Sequence, residues 1–152
     1  MKEKSCGRSP RNRYSINALG RAQMTASKKA LILEDYPLLA LLIEDTLLRG
    51  GYSDFLSCRN ADQALELISK NSFSWAILDY NLGPNLTSTP VAKELKTLGV
   101  PFIFLSGYSQ GTNTMQTGLG EVARINKPFK AGELLSYAKI YLGNEASTDY
   151  CS

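Results

Sequence analysis

Four short apolar runs in this chain each close on a residue able to do chemistry. Residues 30–33, "ALIL", lead into Glu34 and Asp35, and residues 75–78, "WAIL", lead into Asp79. Residues 102–105, "FIFL", lead into Ser106 and Gly107, and a weaker run at 122–126 leads into Lys127 and Pro128. An apolar run closed by turn residues such as "NLGPN" reads as a strand buried on both faces, as in a parallel sheet. Open α/β sheets place their ligand sites at the carboxyl ends of such strands. Glu34, Asp35 and Asp79 then converge, with Ser106 and Lys127 on neighbouring strand ends. Three carboxylates this close raise one another's pKa values unless a cation is present. Partly hydrated, hard oxygen ligands suit Mg²⁺. Singly, each residue has an ordinary reading: capping acids, a strand-end hydroxyl, a surface lysine. Jointly they are hard to attribute to chance.

Composition narrows the chemistry further. The chain has no histidine, which excludes a Ser-His-Asp triad, a histidine metal ligand and a phosphohistidine carrier. Its three cysteines, Cys6, Cys58 and Cys151, are widely spaced and form no C-x-x-C pair, so neither a disulfide framework nor a zinc site is indicated. With 152 residues, 43% of them hydrophobic, the chain is long enough for one well-buried core and short for two domains. The longest apolar run, "LLALLI" at 38–43, is far below the ~18 residues of a membrane span. A soluble, cytoplasmic protein is expected.

The elements that must position these residues alternate along the chain. A helix over 37–49 opens on Pro37 in its first turn and stops at Gly50-Gly51. A short strand at 54–57 precedes a helix over 60–71 with Asn60 as its N-cap, and helices over 88–99 and 131–142 follow the third and fifth strands. The glycine-rich stretch 107–121 has little apolar periodicity, so the fourth helix is expected to be short or disordered. Five strand–helix units predict an α/β fold, a doubly wound five-stranded parallel sheet of flavodoxin type.

Charge divides the chain. Lys2, Lys4, Arg8, Arg11, Arg13, Arg21, Lys28 and Lys29 face Glu3 alone in the first 29 residues, while the whole chain is only +3, so the remainder is acidic. The expected organisation is a basic disordered extension over 1–27, one domain over 28–143 and a flexible tail over 144–152. The basic extension admits a nucleic-acid arm, a transit peptide or a segment without a role, with Met24 as a second start.

Glu34-Asp35, Asp79, Ser106 and Lys127-Pro128 resemble the acidic pair, phosphoacceptor aspartate, Ser/Thr and Lys-Pro of the response-regulator receiver domain of two-component signalling. The resemblance covers about residues 28–143. "DYNLGPNLTSTPVA" and "PFIFLSG" are further similar to an alphaproteobacterial subgroup with a P-F-x-F-A-T-G motif, here with Leu105 and Ser106 in place of Ala and Thr. The resemblance implies Asp79 as phosphoacceptor. It also implies Mg²⁺ held by Asp35, Asp79 and the carbonyl of Asn81, with Glu34 acting through water. Ser106 and Lys127 then bind the phosphoryl oxygens, Gly107 leaves room for them, and a cis Lys127–Pro128 bond aims the lysine. Arg124 occupies the position where receivers often carry a switch aromatic, so read-out by an inward-turning ring is not expected.

The implied role is a signalling domain, not an enzyme. It is a stand-alone receiver phosphorylated by a histidine kinase of the HWE type or by a phosphotransfer protein, acting through an unknown downstream protein. No DNA-binding output domain and no membrane contact are expected. The alternative is a receiver-fold interaction module that works without phosphorylation, and a flavodoxin-type enzyme is a weaker third.

Overall fold

The computed structural model describes residues 28–107 and 119–143, with Tyr14–Ile16, Leu19 and Ala22–Met24 from the N-terminal part. The elements in chain order are β1 (Tyr14–Ile16), β2 (Ala22–Met24), β3 (Ala30–Leu33), α1 (Pro37–Arg49), β4 (Phe55–Cys58), α2 (Ala61–Lys70) and β5 (Trp75–Asp79). They continue with β6 (Asn81–Gly83), β7 (Leu86–Thr87), α3 (Thr89–Thr97), β8 (Phe102–Ser106), β9 (Arg124–Asn126) and α4 (Ala131–Leu142).

Five of the strands form one sheet in the order β4-β3-β5-β8-β9, every pair parallel. The apolar runs are continuous because helices cover both faces: every residue of β3 and β5 is buried. Side-chain alternation splits them between two cores. Ala30, Ile32, Trp75, Ile77, Ile103 and Leu105 pack with Ile43 and Leu47 of α1 and Leu134, Ala138 and Leu142 of α4. Leu31, Leu33, Ala76, Leu78 and Phe104 pack with Ala64 and Ile68 of α2 and Val91, Ala92 and Leu95 of α3. Each fully buried aliphatic side chain contributes ~1.5–3 kcal/mol, so the two cores hold the strand ends firmly.

The chain leaves β3 for β4 on one side of the sheet and reaches β5 on the other. The order therefore reverses between β3 and β5, and a crevice opens above their carboxyl ends. Helix boundaries follow local chemistry. Pro37 occupies the first turn of α1, and Asn60 caps α2 by accepting a 2.8 Å bond from the Gln63 N–H. At the end of α1, Gly51 has φ +91°, a conformation that favours glycine, while a Cβ on Gly50 would press chiefly on the terminal methyl of Leu135 in α4.

Some expectations are adjusted. The second sheet strand is Phe55–Cys58 and the fifth is Arg124–Asn126, a shift of one or two residues at ends where propensity is weak. The extension expected to lack regular structure contains an antiparallel ribbon pairing Tyr14 with Met24 and Ile16 with Ala22. Its three-residue strands are too short for a period-two signal to stand out. A second ribbon, β6–β7, follows Asp79, turning through Asn85 at φ +58°. The segment expected to hold a short fourth helix, 108–118, lies outside the described residues, as does the tail from 144 onward. Among the described residues, no helix is long and apolar enough to cross a membrane.

Candidate phosphoacceptor site

Glu34 extends β3 by one residue, its N–H donating to the Cys58 carbonyl at 3.1 Å. It is fully buried. Its Oε1 accepts the Tyr36 N–H at 3.1 Å, and its Oε2 accepts from Lys127 Nζ at 3.1 Å. Tyr36, at φ −88° and ψ 113°, holds the extended conformation that a following proline favours, and this turns the chain into α1. Asp35 stands exposed at that turn.

Asp79 ends β5, paired in register with Leu105 of β8, and its side chain is nearly buried. Its Oδ1 lies 3.0 Å from Lys127 Nζ. The chain beyond it is tied down on two sides: Tyr80 N–H donates to the Leu105 carbonyl at 2.9 Å and Ser88 N–H to the Tyr80 carbonyl at 3.0 Å. Asn81, two residues after Asp79, opens the β6–β7 ribbon with its side chain exposed.

Ser106 ends β8 one residue beyond the partner of Asp79 and is buried. The Lys127 N–H donates to its carbonyl at 2.7 Å, extending the β8–β9 ladder to the lysine. The Lys127–Pro128 peptide bond is cis. A Cβ added to Gly107 would meet nothing within 4 Å among the described residues.

Glu34, Asp35 and Asp79 each offer a carboxylate oxygen within 4.8 Å of the others. Burial, a hydrogen bond with Asp35 and the charge of Glu34 push Asp79 up from 3.8 to about 7, against the opposing pull of Lys127. Burial disfavours the charged form of Lys127, but the hydrogen bond and charge of Asp79, with the charge of Glu34, outweigh it and hold the lysine above its ordinary value. One ammonium against three carboxylates leaves the crevice short of positive charge. An all-oxygen donor set at an open strand end fits a hard divalent cation such as Mg²⁺. Cys58 offers no competing soft ligand: burial pushes its thiol up to about 12, and Sγ sits 3.4 Å from the Ile32 carbonyl.

The structure thus brings Glu34, Asp35, Asp79 and Lys127 into contact and sets Ser106 and Gly107 on the adjacent strand end. Arg124 is exposed on β9, so no aromatic ring stands at that position. Sequence reasoning missed the double attachment of Glu34, which joins residues 93 positions apart. It also missed Ser88, whose buried hydroxyl has no hydrogen-bond partner among the described residues. No sequence signal marks either feature.

Comparison with known proteins agrees with this geometry. The curated response regulator protein FleR of Pseudomonas aeruginosa is 29% identical over 112 residues, spanning 70% of this chain and 23% of that protein, so the match corresponds to about a quarter of the relative's length. Among solved structures, the Francisella response regulator 1452 receiver domain matches with a TM-score of 0.64 and 25% identity over 75% of this chain and 95% of that one. A CheY-like response regulator receiver domain protein from Methanospirillum hungatei gives 0.66 and 25% over 80% and 98%. SdrG from Sphingomonas melonis gives 0.61 and 29% over 76% and 98%. The family model of the response regulator receiver domain matches residues 30–139, most of the chain, and the chain belongs to that family.

Proposed function

We propose that this receiver domain accepts a phosphoryl group on Asp79 from a histidine kinase or phosphotransfer protein and signals by binding another protein. The observation that carries the reading is Lys127 Nζ held at 3.0 Å from Asp79 and 3.1 Å from Glu34, within a cluster of three carboxylates. A carboxylate oxygen of Asp79 attacks phosphorus, forming the O–P bond. The P–N bond of the donor phosphohistidine breaks, and its imidazole leaves with the electron pair. Lys127 neutralises the phosphoryl oxygens, and the Ser106 hydroxyl donates to them. Gly107 has no side chain to crowd them.

Asp35, Asp79 and the carbonyl of Asn81 hold Mg²⁺ in this reading, with Glu34 beside them. When bound, the ion neutralises carboxylate repulsion and phosphoryl charge. The stretch "PFIFLSG" supports a donor of the HWE type. With Arg124 at the place of an aromatic switch, read-out falls to the segment after Gly107.

The test is incubation with acetyl phosphate and Mg²⁺ followed by intact-mass measurement. Wild type should gain one phosphoryl group, and chelation or Asp79→Asn should abolish the gain. Labelling that survives Asp79→Asn would sink the assignment. An unlabelled wild type would favour an interaction module that works without phosphorylation.

A further inference from the structure

At the amino ends of β8 and β9, the opposite end of the sheet from the acidic crevice, lies a groove of about 370 Å³. Its apolar lining includes Val100, Phe102, Val122 and the ring of Tyr141, all half-buried. Stacking on Trp75 at 5.9 Å holds the Tyr141 ring in place. Lys96 and Glu121 also line the groove, and both are exposed. Lys96 Nζ donates to the Leu119 carbonyl at 2.9 Å, which uses one of its three donors. The end of α4 stands close by. Gly143, two residues after Tyr141, turns the chain at φ +81°, with its N–H on the Lys139 carbonyl at 3.1 Å and its carbonyl taking the Tyr52 hydroxyl at 2.8 Å.

We propose that residues 144–152 of this same chain dock in the groove, with Tyr150 on its apolar lining, Asp149 on Lys96 and the Tyr150 hydroxyl donating to Glu121. The proposal is independent of the phosphoryl-acceptor reading. Reach allows it: Tyr150 is seven residues past Gly143, a span of up to ~23 Å, and the tail departs two residues from a lining ring. Charge selects it. Residues 144–152, "NEASTDYCS", carry Glu145 and Asp149 and no Lys or Arg, so they complement Lys96. Residues 108–118 hold no charged side chain, and the first 29 residues would meet Lys96 with like charge. Chemistry selects it too, because a tyrosine buries a large apolar ring while its hydroxyl needs a polar partner. Glu121 offers that partner. A contact this small suffices because the tether keeps the tail at an effective concentration in the millimolar range. Once seated, the tail fastens the stretch 119–123, which joins the segment after Gly107 to β9 and Lys127.

The experiment is NMR of the full chain with labelled valine methyls and tyrosine rings. The expected result is a set of nuclear Overhauser effects from the Tyr150 ring to the methyls of Val100 and Val122. Tyr150→Ala should remove them and shift both methyl signals, while amides of β3 and β5 stay in place. Lys96→Glu should lower the docking equilibrium constant about fivefold, near the upper limit for an exposed ion pair, as read from the same methyl shifts. Adding Asp149→Lys to that variant should restore docking. The proposal is overturned if Tyr150 shows no effect on either valine, or if the methyls hold their wild-type positions in Tyr150→Ala. A Lys96→Glu variant that docks as wild type does, or that the charge-reversed pair fails to rescue, would overturn it as well. Overhauser effects that cross between differently labelled chains would assign the tail to a second copy and likewise refute docking within one chain.

Discussion

Replacing Asp79 with Asn should stabilise the metal-free domain, and the gain should grow with pH. Asp79 titrates near 3.8 in an unfolded chain and at about 7 in the fold. Because the folded value is the raised one, its contribution to stability is fully present below about pH 3.8 and is lost as pH rises through about 7. The difference of about three units, at 1.36 kcal/mol per unit, makes ionised Asp79 cost ~4 kcal/mol near pH 8. The side chain is only 6% exposed, so solvent screening trims little from this figure. Asn keeps the shape and an acceptor for Lys127 but cannot ionise. Allowing for relaxation of the neighbouring charges, we expect a gain of ~2–4 kcal/mol near pH 8 in EDTA, or roughly 5–15 °C in Tm for a domain of this size. The gain should vanish near pH 4. Trp75 is the sole tryptophan and fully buried, so its fluorescence follows unfolding directly. A variant no more stable than wild type near pH 8, or a gain equally large near pH 4, would refute the electrostatic reasoning.

Three further outcomes are expected. Mg²⁺ at ~100 times its Kd should raise the stability of wild type by ~2.7 kcal/mol, and Asp35→Asn should remove most of that gain; an equal gain in both proteins, read as Tm against Mg²⁺ concentration, would place the ion elsewhere. Lys127→Met leaves the buried Glu34 carboxylate without its counter-charge and should cost ~3–5 kcal/mol near pH 8 in denaturant titration, while slowing labelling by acetyl phosphate; a loss under ~1 kcal/mol would show that the ion pair does not hold. Leu38, Leu41 and Leu42 of α1 are at least half exposed, so changing them together to Lys should shift stability little and leave acetyl phosphate labelling intact, while slowing transfer from the cognate histidine kinase; equal slowing with both donors would mean that the fold was damaged.

How far the sequence carried this site depends on which forces place each residue. Strands buried on both faces leave continuous apolar runs, so β3, β5 and β8, and the polar residues that close them, could be read directly. Asn60 and Pro37 marked helix starts because capping is local chemistry. Lys127 could be assigned to a strand end, but its bond to Glu34 is a tertiary contact with no local trace. The β6–β7 ribbon escaped notice because strands of three and two residues, closed by Asn85 in the left-handed region, look like any polar loop. The N-terminal ribbon escaped for the same reason.

The cost of the site also bears on why its scaffold is packed so completely. A charge penalty of ~2–4 kcal/mol at Asp79 near pH 8 is a large share of the 5–15 kcal/mol by which domains are ordinarily stable. The penalty falls on β3 and β5, the two central strands, and every residue of both is buried. A scaffold that yielded would relieve the repulsion by letting Asp79 turn outward to water. Instead the Leu105 register, the Tyr80 and Ser88 backbone bonds and the two cores keep the carboxylate in the crevice. The strain therefore stays electrostatic and local, and an ion or a ligand that supplies positive charge relieves it without moving the sheet. Asp35, exposed at the rim and hydrogen-bonded to Asp79, is the carboxylate of the three that faces solvent.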